Sequence, residues 1–538
     1  MGPGVRAWGL AGLLVLTALA VGPGLGGSSR LTYHEAFVAE GAREIILSGS
    51  WWEPRIGGLP WLEKPPLPFW LVAAAGSCRG GIDATVARLP SALATFALVL
   101  GVVLLATRRH GRAVGLLAGA IQATTAWTVL RGRLAEADIL LAALVTWTFI
   151  AFDGLRGVAD GREANGANPR SSRLREWRLA FFGLMGLTTL VKGTGFGAAL
   201  VAVAVAGVLL WDRDRRTADR LRYAPGWILA GAMALGWPLA MVVRHGPGVA
   251  WLWFLHVAGR FGGGEAHGPF AGESWWAYVP GVLAQALPWT PLAAAGAGPS
   301  LARALRGDRG DRLLWCWAAL PMVLVSAASA RQAHYAIHAM VPWSIWSAHG
   351  VIRMGRRLAD RGWSRPRLLR LGVGGLAGLA AAWGLGFWLV GPWADRRGAE
   401  WAFYESAGRA AGASEPVAFL YDDWDRDPYP TPFGPIPHDL GVRLFYLGRP
   451  ATWHFDRDSL AKVVDRPPSL EADAGEFPST VLIARARDLP ALEAMGRVDV
   501  LTRDAGTRWD RTYLLARIRP TAEAAPAVGA SEADAVRR

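Results

Sequence analysis

Residues able to do chemistry are densest between Tyr33 and Trp70. The stretch reads Tyr33-His34-Glu35-Ala36, then Glu40 and Arg43-Glu44, then Ser48-Gly49-Ser50-Trp51-Trp52, and last Glu63-Lys64-Pro65-Pro66. It lies between two apolar stretches long enough to cross a bilayer. Charge held against a membrane is costly, so carboxylates, a histidine and a lysine gathered there point to a functional site. Lysine is scarce elsewhere: of 57 basic residues only Lys64, Lys192 and Lys462 are lysines. An ammonium kept where arginine is the rule marks a position that needs a compact point charge.

Further motifs are scattered along the chain. His256 is followed by Arg260-Phe261, His267, Pro269, Trp275-Trp276 and Tyr278, ending in Leu287-Pro288-Trp289. Arg331-Gln332-Ala333-His334-Tyr335 precedes another apolar run, with His338 four residues after His334. Two histidines alone make a poor metal site. Asp138 opens an apolar helix after Arg133-Leu134-Ala135-Glu136-Ala137, where an aspartate is also an ordinary helix cap. Lys192-Gly193 joins two short apolar runs. Asp423, Asp425 and Asp427 have calcium-loop spacing, but Pro428 stands where a glycine is needed, so a solvated turn is expected.

The elements that must position these residues are membrane helices. Hydrophobic residues make up 52% of 538 and charged residues 19%, a balance that excludes an ordinary soluble protein. The net charge of +14 does not indicate nucleic acid, because the basic residues collect between apolar runs, as in cytoplasmic loops. Apolar stretches at 8–26, 83–106, 113–130, 138–153, 178–191, 194–211, 226–244, 275–298, 313–327, 335–352 and 371–392 give about eleven expected helices, the first of which also fits a signal peptide. Arginine is rich in connections 107–112, 154–177, 212–224, 299–312 and 353–370, which places these and the amino terminus inside. The 27–82 loop, the 131–137 and 192–193 turns, the 245–274 loop and the 328–334 turn then share the outer face. The expected organisation is a mainly α, polytopic transmembrane domain over 1–394, including the first outer loop 27–82. A small extracytoplasmic α/β domain over 395–520 and a disordered tail over 521–538 follow. Strand signals in the α/β domain are Val417–Leu420, Val481–Ala484 and Tyr513–Ala516. Cys78 and Cys316 are expected to be free.

Together the motifs resemble the polyprenyl-phosphate-dependent sugar transferases of the GT-C fold, the group of the lipid A aminoarabinose transferases and protein O-mannosyltransferases. That family shows an Asp-Glu pair, a Glu five residues on, Arg-Glu, Ser-Gly-Asp-Trp and Glu-Lys-Pro. Glu35, Glu40, Arg43-Glu44, Ser48-Gly49 and Glu63-Lys64-Pro65 fit it; His34 and Ser50 stand where it has aspartates. The resemblance spans roughly residues 30 to 345 and is closest to the aminoarabinose branch. It implies a glycosyltransferase of the cell inner membrane that moves sugar from a polyprenyl-phosphate donor to a lipid or glycan acceptor at the outer face. Lys64, Arg260 and Tyr335 would hold the donor phosphate, and Glu63, His256, Lys192 and Arg331 would bind substrate. Glu35, Asp138 and His34 would be the catalytic groups. An aspartate at the His34 position is the presumed base of the mannosyl branch. Here His34 or Glu35 takes that role, or the acceptor is an anion that needs little base. No cofactor is required by these motifs, although a divalent metal has possible ligands in Glu35 and Glu63. A protein O-mannosyltransferase, a lipid-sugar flippase and a non-catalytic envelope scaffold are the competing readings. Charges gathered at one face, with no inverted repeat, count against the flippase.

Overall fold

The computed structural model describes residues 3–27, 29–159, 170–262, 276, 278–327, 333–394, 398–412, 415, 417–420, 429–437, 439–454, 480–503 and 512–519. The chain divides into two compact units, Met1–Arg55 with Pro60–Ala394, and Ile56–Leu59 with Asp395–Arg538.

The first unit is a helical bundle. Its helices are α1 (Pro3–Val21), α2 (Tyr33–Ser48), α3 (Leu67–Arg79), α4 (Ala84–His110), α5 (Arg112–Thr124), α6 (Ala126–Gly132), α7 (Ala137–Ala159), α8 (Arg170–Phe196) and α9 (Ala198–Asp212). They continue with α10 (Arg215–Leu221), α11 (Ala224–His245), α12 (Gly248–Gly262), α13 (Tyr278–Gln285), α14 (Thr290–Leu305), α15 (Arg309–Ser326), α16 (Met340–Asp360) and α17 (Arg365–Ala394). Among the described residues five helices are long and apolar enough to cross a membrane, within α4, α7, α8, α11 and α17. The pair α5 and α6, bent by 61°, makes a sixth if counted as one span, and the apolar parts of α1 and α9 are shorter. Two of the expected apolar stretches take a different form. Stretch 275–298 is not one helix: α13 and α14 part around Pro288, which brings no N–H and disfavours helix at Leu287. Stretch 335–352 begins as a 3-10 segment, Ala333–Ala339, ahead of α16.

The bundle core is built from α4, α7, α8, α9, α15 and α16, around Leu98, Phe149, Phe152, Phe182, Trp317 and Ile345. Phe149 stacks on Trp317 with centroids 4.2 Å apart. Where α14 crosses α16 the backbones nearly touch. A Cβ on Gly350 would lie 2.1 Å from the Leu292 carbonyl oxygen, and one on Gly296 would lie 1.9 Å from that of Trp346. Small residues at a helix crossing replace the hydrophobic drive that lipid removes with close van der Waals contact. The end of the bundle opposite Asp138 is closed by ion pairs. Arg156 is fully buried and bonded to Asp212 and to the Arg309 carbonyl, and Arg312 donates to Asp212 at 2.8 Å. Arg109 pairs with Asp153, and Arg303 with Asp311. Several arginines of the arginine-rich connections are thus fixed partners.

The second unit carries a five-stranded sheet. Short hairpin strands come first, β1 (Arg55–Ile56), β2 (Leu59–Pro60), β4 (Tyr429–Thr431) and β5 (Gly434–Ile436) lying outside it. The sheet runs β6 (Thr452–His454), β3 (Val417–Leu420), β7 (Thr480–Arg485), β9 (Tyr513–Arg519), β8 (Arg497–Arg503). β3 pairs parallel with β6 and β7, while β9 pairs antiparallel with β7 and β8. The central parallel strand is buried along its length, which explains its unbroken apolar sequence. The three strand signals of the sequence are β3, β7 and β9, with helices α18 (Gly398–Ala410) and α19 (Leu440–Leu447) also in this unit. Cys78 and Cys316 are free. The 521–538 tail and the Asp423–Asp427 turn lie outside the described residues.

Candidate active site

Helix α2 begins with a capping box. Thr32 accepts from the Glu35 N–H at 3.4 Å, and Glu35 Oε2 accepts from the Thr32 N–H at 2.8 Å. Glu35 also accepts from Arg88 Nε at 2.7 Å, from Arg88 Nη2 at 3.2 Å and from the Ala135 N–H at 3.0 Å. Its carboxylate is fully buried and receives four hydrogen bonds, which is about its full capacity. Arg88, equally buried, donates to the carbonyls of Leu25, Ser29 and Arg30. The structure thus presents Glu35, expected among the catalytic groups, as an engaged carboxylate rather than a free one. With its lone pairs filled it serves as a tie between α2, α4 and the turn before α7.

That turn delivers the next group. Asp138, buried at the start of α7, accepts a hydrogen bond from Lys192 and has Arg131 at 3.6 Å. Arg131 pairs with Glu136 and lies over the Trp127 ring at 4.3 Å. Burial pushes the Glu136 carboxyl up, with Arg131 opposing it. Lys192 reaches Asp138 because α8 breaks there: Lys192 leaves helical geometry and Gly193 takes φ 79, which glycine adopts without strain. The Lys192 ammonium also faces the Tyr335 ring at 5.1 Å and the Phe196 ring at 5.6 Å. Tyr335 is buried, packed on Phe196 at 4.5 Å, with His334 edge-on to it at 4.7 Å. Asp138, Lys192 and Tyr335, predicted from three separate motifs, come together.

His34 and Lys64 are open to solvent, and Glu63 is half-buried beside them. His34 lies within reach of the charges of Lys64, Glu63, Arg131 and Asp138. Burial first, then the charges of Lys64 and Arg131 against those of Glu63 and Asp138, lower its pKa to about 4. The imidazole is neutral at physiological pH. Lys64 makes no ion pair among the described residues. Pro65 and Pro66 stiffen the chain behind it, ahead of α3. His256 and Arg260 fall on α12, but their side chains lie outside the described residues, and so do Arg331 and His267 altogether. Among the described residues no three His, Cys, Asp or Glu side chains are grouped to hold a metal ion.

Arg88 and Glu53 escaped the sequence reading, and Glu40 entered it only as a motif position. Arg88 has been described. Glu40 is buried, bonded to Arg43 at 2.7 Å through one oxygen, and burial raises its pKa to about 7. Glu53, also fully buried, meets Arg55 at 2.7 Å, His245 at 2.6 Å and Arg244 at 3.1 Å. Its carboxyl is held below the usual range: burial raises it, and the His245 hydrogen bond with the two arginines more than offsets that.

Comparison with known proteins follows the same line. Residues 63–238 match the family described as dolichyl-phosphate-mannose-protein mannosyltransferase. An undecaprenyl phosphate-alpha-4-amino-4-deoxy-L-arabinose arabinosyl transferase of Shewanella sediminis is 29% identical over 329 residues, 58% of this chain and 54% of its own. The Pseudomonas aeruginosa (strain LESB58) protein of that name is 29% identical over 361 residues, covering 65% and 60%. The matched region thus spans just over half the length of these curated relatives. The structure of ArnT from Cupriavidus metallidurans bound to undecaprenyl phosphate superposes with TM-score 0.71 at 19% identity, covering 96% of this chain and 98% of that one. The chain is an integral membrane protein with the GT-C fold. Within that class it resembles the polyprenyl-phosphate-dependent glycosyltransferases of the aminoarabinose and mannosyl branches.

Proposed function

We propose that this chain is a membrane glycosyltransferase that takes a sugar from a polyprenyl-phosphate donor and passes it to a lipid or glycan acceptor. The reaction would lie at the outer face of the inner membrane, with the second unit on the same side. One observation carries the reading. Lys64 is exposed within electrostatic reach of His34, which also feels Glu63 and an Asp138 already paired with Lys192. Two lysines in a chain of arginines thus have different tasks: Lys192 holds an acid in place, and Lys64 is left for an anion.

In the transfer, the bond between the anomeric carbon and the phosphate oxygen breaks and its electron pair stays on the lipid phosphate. The phosphate gains negative charge, and Lys64 stabilises it as it develops. The acceptor oxygen forms the new bond to the anomeric carbon; a hydroxyl acceptor also gives up its proton, for which His34 is the accessible base. Asp138, oriented by Lys192 and Arg131, takes hydrogen bonds from sugar hydroxyls. Tyr335 forms the wall behind Lys192, and Glu63 flanks the donor. Arg260, His256 and Arg331 belong to the same proposal as donor and substrate contacts.

The test is turnover of labelled polyprenyl-phosphate sugars by the purified protein with a panel of phosphorylated and hydroxyl acceptors. Lys64→Ala should lower turnover by about 10²–10³ with normal membrane insertion. Unchanged turnover in that variant would remove Lys64 from the site. Absence of transfer to every acceptor would overturn the function.

A further inference from the structure

The charges around Asp138 balance without a contribution from the sugar. Asp138 takes the Lys192 ammonium on one oxygen and has Arg131 at 3.6 Å from the other. Arg131 is shared with Glu136, so two cations face two acids at this turn. Glu35 is matched by Arg88, and Glu63, half-buried, has interactions of its own. Lys64 makes no ion pair among the described residues, and in the proposed reaction its charge faces the donor phosphate.

The ring faces here are engaged in the same way. Lys192 lies over the Tyr335 ring at 5.1 Å and the Phe196 ring at 5.6 Å, and Arg131 over the Trp127 ring at 4.3 Å. Tyr33, beside His34, packs on Phe37 at 4.8 Å. A ligand ammonium is recognised by a carboxylate or an aromatic face. Around Asp138 these groups already serve the chain's own cations. At position 34, where the related family pattern has an aspartate, stands an exposed imidazole that is neutral at physiological pH. The exchange leaves one negative charge fewer at a point that feels both Lys64 and Arg131. The relatives described above are named for 4-amino-4-deoxy-L-arabinose, a sugar whose amine is a cation at neutral pH.

We infer that the donor sugar is uncharged, a neutral pentose or hexose whose hydroxyls meet the Asp138 carboxylate and the His34 imidazole, and that position 34 turns an amino sugar away. A sugar ammonium would meet Lys64, Arg131 and Lys192 with no unmatched acid among the described residues to balance it. A sugar carboxylate would compete with the donor phosphate for Lys64. The inference rests on the transferase reading and narrows its donor.

The purified full chain is given two polyprenyl-phosphate donors that differ in one group, arabinose and 4-amino-4-deoxy-arabinose, with the same acceptor. The neutral donor should have a kcat/KM roughly 10- to 100-fold higher, the effect of seating a charge among like charges near a protein surface. His34→Asp places a carboxylate at this point and should move the ratio about tenfold toward the amino sugar. His34→Asn, of the same shape but neutral, should leave the ratio in place. Both donors pass through one transfer step, so any loss of His34 as a base slows both and cancels in the ratio. A wild-type chain that favours the amino sugar, or a ratio that the Asp and Asn variants move equally, would overturn the inference. A binding arm needs no turnover: both donors are titrated into the detergent-solubilised full chain, following tryptophan fluorescence. If neither sugar is transferred to any acceptor while the neutral donor binds more tightly, the transferase reading fails and the charge preference stands. Equal or tighter binding of the amino sugar overturns the preference.

Discussion

Replacing Glu35 by glutamine separates a structural tie from a catalytic acid. The substitution keeps the shape and one acceptor oxygen, and removes the charge facing Arg88. Arg88, 3% exposed at its side chain, would then face only the carbonyls of Leu25, Ser29 and Arg30 and a neutral amide. Breaking a buried ion pair from one side costs about 3–5 kcal/mol, because the remaining charge is left uncompensated. The two backbone bonds, from Thr32 and Ala135, add about 1 kcal/mol each if they are lost. Glu35→Gln should therefore lower the thermal unfolding midpoint in detergent clearly, while the protein that remains folded keeps its turnover within about tenfold. Replacing both partners, Glu35→Gln with Arg88→Met, should recover much of the stability, since two apolar or neutral groups need no charge partner. A positioned acid or base is worth roughly 10²–10⁴-fold in rate. A loss of that size in Glu35→Gln, with an unchanged midpoint, would refute the reassignment and return Glu35 to the chemistry.

Lys192→Ala should strand Asp138 as a buried carboxylate and destabilise the protein by about 3–5 kcal/mol, with Asp138→Asn in the same chain relieving most of it; equal midpoints for single and double variants would deny the pairing. Glu40 shifts from 4.5 to about 7 on folding, so the folded chain binds the proton more tightly than the unfolded chain. Stability should then fall as pH rises between those values, by at most about 3 kcal/mol, and Glu40→Gln should flatten the slope in a melting series against pH. His34→Ala should cost roughly 10²–10⁴ with a hydroxyl acceptor and little with a phosphate acceptor; the acid limb of kcat/KM for the hydroxyl case should fall near pH 4, not near the ordinary histidine value. A reporter fused after Arg397 should be active only outside the cytoplasm and one in the 154–177 loop only inside, the reverse result at either position refuting the orientation.

The membrane class and the two-part organisation were legible because they depend on quantities summed over many residues: apolar run length, arginine distribution and the switch to short strands. The strands β3, β7 and β9 could be read because each is an uninterrupted apolar run. Spans 275–298 and 335–352 misled because hydropathy does not register Pro288 or a 3-10 start. At the site, Asp138, Lys192 and Tyr335 could be named singly, but their pairing could not be read, since Lys192 meets Asp138 across 54 residues. Glu35 meets Arg88 across 53, and His245 meets Glu53 across 192. A buried ion pair leaves no local pattern, so Glu35 looked like an acid available for chemistry. One local signal was there: Thr32 followed three residues later by Glu35, ahead of an apolar run, is the signature of a capping box. It marks Glu35 as occupied on at least one side.

The remaining charges around His34 bear on the acceptor. Asp138 is matched by Lys192, Glu136 by Arg131, and Glu63 stands beside Lys64. Burial and the charge of Lys64, the cation that the proposed reaction gives to the departing phosphate, lower the His34 pKa to about 4 and leave it neutral. A weak base transfers a hydroxyl proton poorly, so the arrangement that favours the leaving group works against His34 as the base. In the proposed reaction a donor phosphate beside Lys64 would relieve this in part, by raising the imidazole pKa again. An acceptor that is already an anion would remove the conflict, because no proton need be taken. Under the proposed reaction with such an acceptor, a neutral histidine at position 34 needs no stronger base in its place.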